Sequence, residues 1–538
     1  MFKTAVIILL LVVTLALPFA LRPKQEAAAR ADDTVVIITP HNEAIRYEFA
    51  RAFTRWYKAR TGRTAVIDWR LIGGTSEIAR YINGEYVASF ENHWVNTLHK
   101  KWNNDVLTSF ANGKLPGDAS VEAREARAAF LASNVGSGLD LFWGGGAYDF
   151  SSQAQAGRIV DSGIMKLHPE WFTDDVIPRT FAGEEYWDKE GRWIGTVLSS
   201  FGIIANRDSL NRLGLAQTPA HWEDLKDPRL FGEVALADPT KSGSINKAFE
   251  NVVQQQMQKR LLELQAANPA ANAADIEKQA VHEGWITGMR LLQAIGANAR
   301  YFTDSAQKVP IDVAAGDCAA GMCIDFYGRQ QQEAVRRRGA DDRLIYITPT
   351  GGAVASVDPI ALMRGAPHRE VAVAFIEFTL TMEGQKLWDL KVGAPGGPEY
   401  FALRRLPVRK DFYEIPGIAA LRSDPEELPY ASQERLIYRP QWTGRLFREL
   451  AFVVRVMCLD TQPELKKAWR ALADAGMPPE ALAVFADVSA VDYEIASGRI
   501  KAALASKNKV DEINLANELG NHFRRQYLKA EEMARKTK

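Results

Sequence analysis

The sequence predicts an α/β protein of two lobes, with a helical hairpin inserted into the first lobe and a helical extension at the C-terminus. One observation is an alternation. Short apolar runs that suit strands buried on both faces give way to segments with apolar residues at helical spacing, the rhythm of a parallel sheet covered by helices. A second is that this rhythm starts twice, near residue 34 and again near residue 195. The third is a series of small, hydroxyl-rich turns, most of them where a strand gives way to a helix. They are Thr39-Pro40-His41, Gly73-Gly74-Thr75-Ser76, Gly144-Gly145-Gly146, Ser199-Ser200-Phe201-Gly202 and Ser242-Gly243-Ser244, closed by Asp325-Phe326-Tyr327. A helix start presents unpaired N–H groups and the positive end of its dipole, so such turns attract anions without a basic side chain.

Taken in order, residues 5–21 form an apolar run behind Lys3. It is long for a signal-peptide core and short for a comfortable membrane span. Ala29-Arg30-Ala31 offers a cleavage site before Asp32-Asp33, though well beyond the apolar run. Residues 1–31 are therefore expected to be a signal peptide or an uncleaved anchor, and both readings stay open. No Cys follows the run, which excludes a lipoprotein anchor. The bulk of the chain is expected to be exported.

Residues 35–38 read as the first strand, and Ile45, Phe49, Phe53, Trp56 and Tyr57 fall on one face of the helix after it. Gly62 ends that helix, residues 64–69 form the next strand, and Gly73-Gly74-Thr75-Ser76 starts a second helix. From about 86 to 133 the rhythm breaks. Trp94, Leu98, Trp102, Val106 and Phe110 recur every four residues, a polar turn follows, and residues 121–132 are charged and Ala-rich: an inserted helical hairpin. The sheet resumes at residues 139–143. Residues 196–205 are a buried crossover strand, and Val234-Ala235-Leu236 leads through Asp238-Pro239-Thr240 to the helix start at Ser242. Residues 254–279 read as an exposed, inserted helix, and residues 344–347 and 353–360 as strands returning to the first lobe. The expected division is 32–198 for the first part of lobe 1, 199–345 for lobe 2, 346–440 for the return to lobe 1 and 441–538 for the helical extension.

The 538 residues exceed one ordinary core. Lys plus Arg and Asp plus Glu are 66 each, and this neutrality argues against a surface that coats nucleic acid. Only three cysteines occur, which excludes a disulfide-built scaffold and offers no spacing for a Cys-based metal site. Cys318 and Cys323 are either bridged or separate core residues.

The ordered motifs resemble the type 2 periplasmic solute-binding proteins of ABC importers, in the branch that takes ferric iron, phosphosugars or phosphonates. The resemblance rests on the turns above together with residues 140–146, 198–203, 222–228, 237–244 and 324–327 and Phe375-Ile376-Glu377-Phe378, in one order from about 34 to 412. It does not cover the hairpin or the last hundred residues. It implies two lobes joined by crossover strands, closing on a small solute by a hinge motion and delivering it to an ABC permease, with no bond made or broken and no cofactor.

Candidate ligand contacts are Thr39, His41, Gly74, Thr75, Ser76, Gly145, Ser199, Ser200, Ser242, Gly243, Ser244, Asp325 and Tyr327. Ser242 and Ser244 place hydroxyl and N–H groups at a helix start, and the two glycines before Thr75 let backbone approach a ligand closely. His41 offers a hydrogen bond, Ser199 and Ser200 a cleft floor, Asp325 a partner for a hydroxyl or amine, and Tyr327 a donor to phosphate. The expected solute is an anion, a phosphosugar, phosphonate or similar oxyanion. The resemblance also carries a ferric-iron alternative through Tyr327 and His41. Iron-binding relatives use neighbouring tyrosines, and here Phe326 stands beside Tyr327. A sensor or enzyme on the same two-lobed fold is the rival from another class; adjacent Glu184 and Glu185 do not converge as a catalytic pair.

Overall fold

The computed structural model describes residues 31–339, 342–431, 436–506 and 508–537. The apolar run and nearly all of the expected signal or anchor segment lie outside them. No helix among the described residues is long and apolar enough to cross a membrane.

The described residues form fourteen strands: β1 (Asp33–Ile38), β2 (Ala65–Arg70), β3 (Leu141–Trp143), β4 (Ile159–Val160), β5 (Thr180–Phe181), β6 (Glu184–Glu185), β7 (Ile194–Ser199), β8 (Phe201–Asn206), β9 (Val234–Ala237), β10 (Ala299–Thr303), β11 (Ala320–Ile324), β12 (Leu344–Ile347), β13 (Ser356–Met363) and β14 (Leu406–Pro407). They build two main sheets. One has the order β14-β7-β13-β3-β1-β2, with β4 also paired to β13; the other has the order β10-β9-β11-β8-β12. Both follow one plan. The second, first and third strands of a lobe lie parallel, β2-β1-β3 and β10-β9-β11, and an antiparallel strand follows, β13 in lobe 1 and β8 in lobe 2.

The lobes are joined where strands change sheets. β7 and β8 are consecutive, with Ser200 alone between them, and β12 and β13 form the return. Residues 344–347 thus pair with β8 in lobe 2, so the expected return to lobe 1 begins only at Ser356. Ser199 conversely belongs to lobe 1, opposite Ser356.

The helix Glu43–Thr61 is capped by the Asn42 side chain on Ile45 N–H, ends at left-handed Gly62, and buries Ile45, Phe49, Phe53 and Tyr57. The helix Thr75–Asn92 runs through the expected hairpin boundary into helices Asn104–Ser109 and Val121–Ala132, and Phe90, Phe110 and Phe130 pack together between them.

The polar, Ala-rich stretch at 254–279 is mostly exposed, as expected, and departs from expectation only at its start. It falls in the helices Gly243–Ala267 and Ala273–Asn298, and Gln254, Gln255 and Gln256 are buried. Gln254 Nε2 donates to Arg439 O at 2.9 Å and to Thr443 Oγ1 at 2.7 Å, so hydrogen bonds to the chain on either side of the start of the C-terminal extension replace water. That extension is helical through Lys509–Thr537 and covers the same two helices. Cys318, Cys323 and Cys458 are free and buried, so the two nearby cysteines are separate core residues.

Candidate functional site

The strand ends of lobe 1 meet in one place. At the end of β3, Gly144 and Gly145 hold φ of 92° and 113°, in the region that favours glycine. A Cβ on Gly144 would lie 2.6 Å from His41 Nε2, and one on Gly145 2.5 Å from Thr75 Cγ2. Larger residues would therefore push the β1 and β2 turns away from the β3 turn. Thr39 Oγ1 accepts from His41 N–H at 3.1 Å and sets the turn after β1. Gly74 caps the helix Thr75–Asn92 and Gly146 caps the helix Ala147–Ala156.

Lobe 2 brings its own helix start to the same crevice. Ser242 Oγ caps the helix Gly243–Ala267 by accepting from Ile245 N–H at 3.3 Å. Across the gap, a Cβ on Gly74 would sit 2.7 Å from Lys241 O, and one on Gly243 3.0 Å from Asp149 Oδ2 and 4.0 Å from Ser76 Oγ. Thr39, His41, Gly74, Thr75, Ser76, Gly145, Ser242 and Gly243 are thereby brought together, with Ser244 one residue further along its helix.

Ser199 and Ser200 lie where the chain crosses from one sheet to the other. Ser356 Oγ donates to Ser199 O at 3.4 Å, and Asp325 N–H donates to Ser200 O at 3.0 Å. Asp325 itself is buried and ion-paired with Arg329 of its own helix Asp325–Arg337, so the structure does not leave this carboxylate free for a solute hydroxyl. The Tyr327 hydroxyl is held by Gln307 Nε2 at 2.9 Å, and burial pushes its pKa up to about 12.

Three site residues escaped the sequence. Arg405, fully buried, donates to Asp358 Oδ2 at 2.7 Å, lies 3.3 Å from His41 Nε2 and covers the Phe326 ring at 4.3 Å. A lobe 1 cation thus packs on a lobe 2 aromatic. Burial, helped by Arg405, holds the His41 imidazole below its ordinary pKa despite its hydrogen bond with Asp358, so His41 is neutral near pH 7. Burial raises the Asp358 carboxyl, but Arg405 and His41 outweigh it and hold it below the usual range.

Asp149 is the third, in the first turn of the helix Ala147–Ala156 and facing Gly243. Burial pushes its carboxyl up to about 7. An acid whose folded pKa is raised costs stability once the unfolded chain ionises. The cost is small below the ordinary value of 3.8, grows as pH rises toward 7, and is constant above. Asp149→Asn is therefore expected to raise the melting temperature at pH 8 and to change it little at pH 4. An equal gain at both pH values contradicts this.

Two cavities flank the contact between Tyr148 and Phe447, whose ring centroids are 4.6 Å apart. Both are walled by lobe 1, lobe 2 and the extension, with volumes of about 720 and 650 Å³. The second holds a buried ionic cluster. Lys247 Nζ pairs with Glu184 at 2.7 Å and Glu250 at 2.9 Å and lies 3.3 Å from the Tyr438 ring centroid. Burial alone would lower the Lys247 pKa; the two carboxylates outweigh it and raise it. Tyr438 N–H donates to Ala182 O at 2.8 Å, and its hydroxyl donates to Glu250 at 2.9 Å. Tyr438, just before the extension, thus links Ala182 of lobe 1 to Glu250 of lobe 2.

Two α/β lobes joined by crossover strands, with helix starts from both facing one another, have the architecture of a solute-binding protein. Residues 139–402, just under half of the chain, match the family described as bacterial extracellular solute-binding protein. The chain is 26% identical over 285 residues to an uncharacterised protein of Haemophilus influenzae, covering 53% of this chain and 68% of that one. It is 25% identical over 288 residues to the phosphoglycerate transport regulatory protein PgtC of Salmonella typhimurium, covering 52% of this chain and 57% of that one. The match thus spans little more than half of the latter's length. Among solved structures it is similar to the periplasmic binding protein AfuA of Actinobacillus pleuropneumoniae, with 16% identity, a TM-score of 0.45, and coverage of 71% of this chain and 86% of that one. It is also similar to the ferric ion-binding protein A of Pasteurella haemolytica, with 12% identity, a TM-score of 0.47, and coverage of 79% and 97%.

Proposed function

We propose that the protein is the periplasmic receptor of an ABC importer, capturing a small anionic solute between its lobes and handing it to a permease in the inner membrane. The observation that carries this is the approach of the helix starts at Thr75 and Ala147 of lobe 1 to the helix start at Gly243 of lobe 2, with Gly74 facing Lys241 and Gly243 facing Asp149 and Ser76. The relative whose name refers to phosphoglycerate transport supports a phosphorylated solute. Binding and closure suffice for the task, and residues 1–31 serve export either as a cleaved signal or as an anchor. The ferric alternative gains nothing from Tyr327, whose hydroxyl is hydrogen-bonded by Gln307 and beside which stands Phe326 rather than a second tyrosine.

A thermal-shift screen with phosphoglycerate, sugar phosphates, phosphonates, Fe(III) and polyamines tests the reading. A ligand at 100 times its dissociation constant stabilises by about 2.7 kcal/mol. Phosphorylated compounds are expected to shift the transition; stabilisation by cations alone overturns the anion assignment. The word "regulatory" in the name of that relative favours one second reading, a signalling receptor for the same solute. Deleting the gene in cells that express the permease constitutively separates the two: uptake stops for an importer and continues for a sensor.

A further inference from the structure

We infer that the larger of the two flanking cavities is a subsite for a polyanionic solute, one carrying two or more ionised groups, and that the C-terminal extension completes it. The inference rests on the reading of the protein as an anion receptor and specifies where the charge is met. The cavity is lined by Arg80 from the helix Thr75–Asn92, by Lys241 just before the helix Gly243–Ala267, and by Arg448, Arg455 and Lys509 from the extension, against only Asp149 and Glu512. Arg455 pairs with Asp460 at 3.2 Å and Lys509 with Glu512 at 3.4 Å. Among the described residues Arg80, Lys241 and Arg448 have no carboxylate partner; Arg448 makes only a 3.3 Å hydrogen bond to Leu504 O. One unneutralised cation thus comes from lobe 1, one from lobe 2 and one from the tail.

A separate observation comes from the cavity wall. Asn246 is 1% exposed and lines this cavity; its Nδ2 donates to Phe447 O at 2.7 Å, while its Oδ1 is buried without a partner. A buried acceptor left open has to be met by a donor, and a solute hydroxyl supplies one. Three cations beside an open acceptor fit a small acid with a phosphoryl group, a second ionised group and a hydroxyl. A single negative charge would leave two of the three cations uncompensated. Because the cations sit on different bodies, a solute that engages all three favours the arrangement in which lobes and tail are together, and its binding energy drives closure.

The test is calorimetric titration of the full chain with phosphoglycerate and, as the less charged probe, glycerol phosphate. Wild type is compared with Arg80→Gln, Lys241→Gln, Arg448→Gln and, deeper in the crevice, Thr75→Val. Arg80, Lys241 and Arg448 are exposed, so unliganded melting temperatures are expected to match wild type. Each of the three charge substitutions is expected to weaken phosphoglycerate binding by about tenfold or more, and glycerol phosphate binding by less. Loss of binding in Thr75→Val alone, with the three charge variants at wild-type affinity, overturns the subsite and leaves the receptor reading standing. Wild-type protein that binds neither compound nor any other anion overturns both.

Discussion

Truncation after residue 440 is expected to yield a chain whose second lobe does not fold cooperatively. The helix Ala273–Asn298 is covered by the extension rather than by water. Trp285 Nε1 donates to Val491 O at 2.9 Å, Gln293 Nε2 reaches the Tyr527 hydroxyl at 3.1 Å, and Trp469 Nε1 donates to Asn298 Oδ1 at 2.8 Å. A Cβ on Gly296 would lie 2.9 Å from Cys458 Sγ, so the tail packs directly on the helix backbone. Uncovering each large apolar side chain costs about 1.5–3 kcal/mol. Several at once match the roughly 5–15 kcal/mol that holds a typical domain folded. The expected result is a broad or absent melting transition and binding of a hydrophobic dye. A truncated chain that melts as sharply as the full protein contradicts this account of the tail.

Lys247→Met is expected to be the most damaging single substitution near the crevice. It leaves Glu184 and Glu250 buried without their cation, and breaking a buried pair from one side costs about 3–5 kcal/mol. The carboxylates are the source of the penalty, so adding Glu184→Gln and Glu250→Gln is expected to restore much of the loss. Burial already raises the Glu184 pKa, so protonation removes its charge earlier than for an exposed glutamate. The loss in Lys247→Met is therefore expected to shrink as pH falls. Urea unfolding of the single and triple variants at pH 5 and pH 8 measures both effects. A triple variant no more stable than the single one contradicts the charge explanation.

The sheet elements were legible because their signals are local. Ile45, Phe49, Phe53 and Tyr57 repeat at helical spacing, and the packed helix buries those four. The chain's change of sheets at Ser200 lies inside the apolar run that reads as a crossover. What remained hidden depends on distant partners. Gln254 looks like a surface residue until Arg439 and Thr443, far along the chain, accept its amide. Arg405, Asp358 and His41 are separated by long stretches with no shared period, and only the sheet order β14-β7-β13-β3-β1 brings them together. Asp325 had the right place for a ligand contact, but Arg329 one turn later pairs with it. A helix-start acid and an arginine at that spacing form a local ion pair, a bland reading the sequence already contained.

Amide hydrogen exchange with and without phosphoglycerate tests most directly whether both lobes grip one guest. Exchange is expected to slow in three separated stretches at once, residues 74–77 and 144–149 of lobe 1 and residues 242–246 of lobe 2. Protection confined to one lobe, or appearing only where lobe 2 meets the tail, contradicts it.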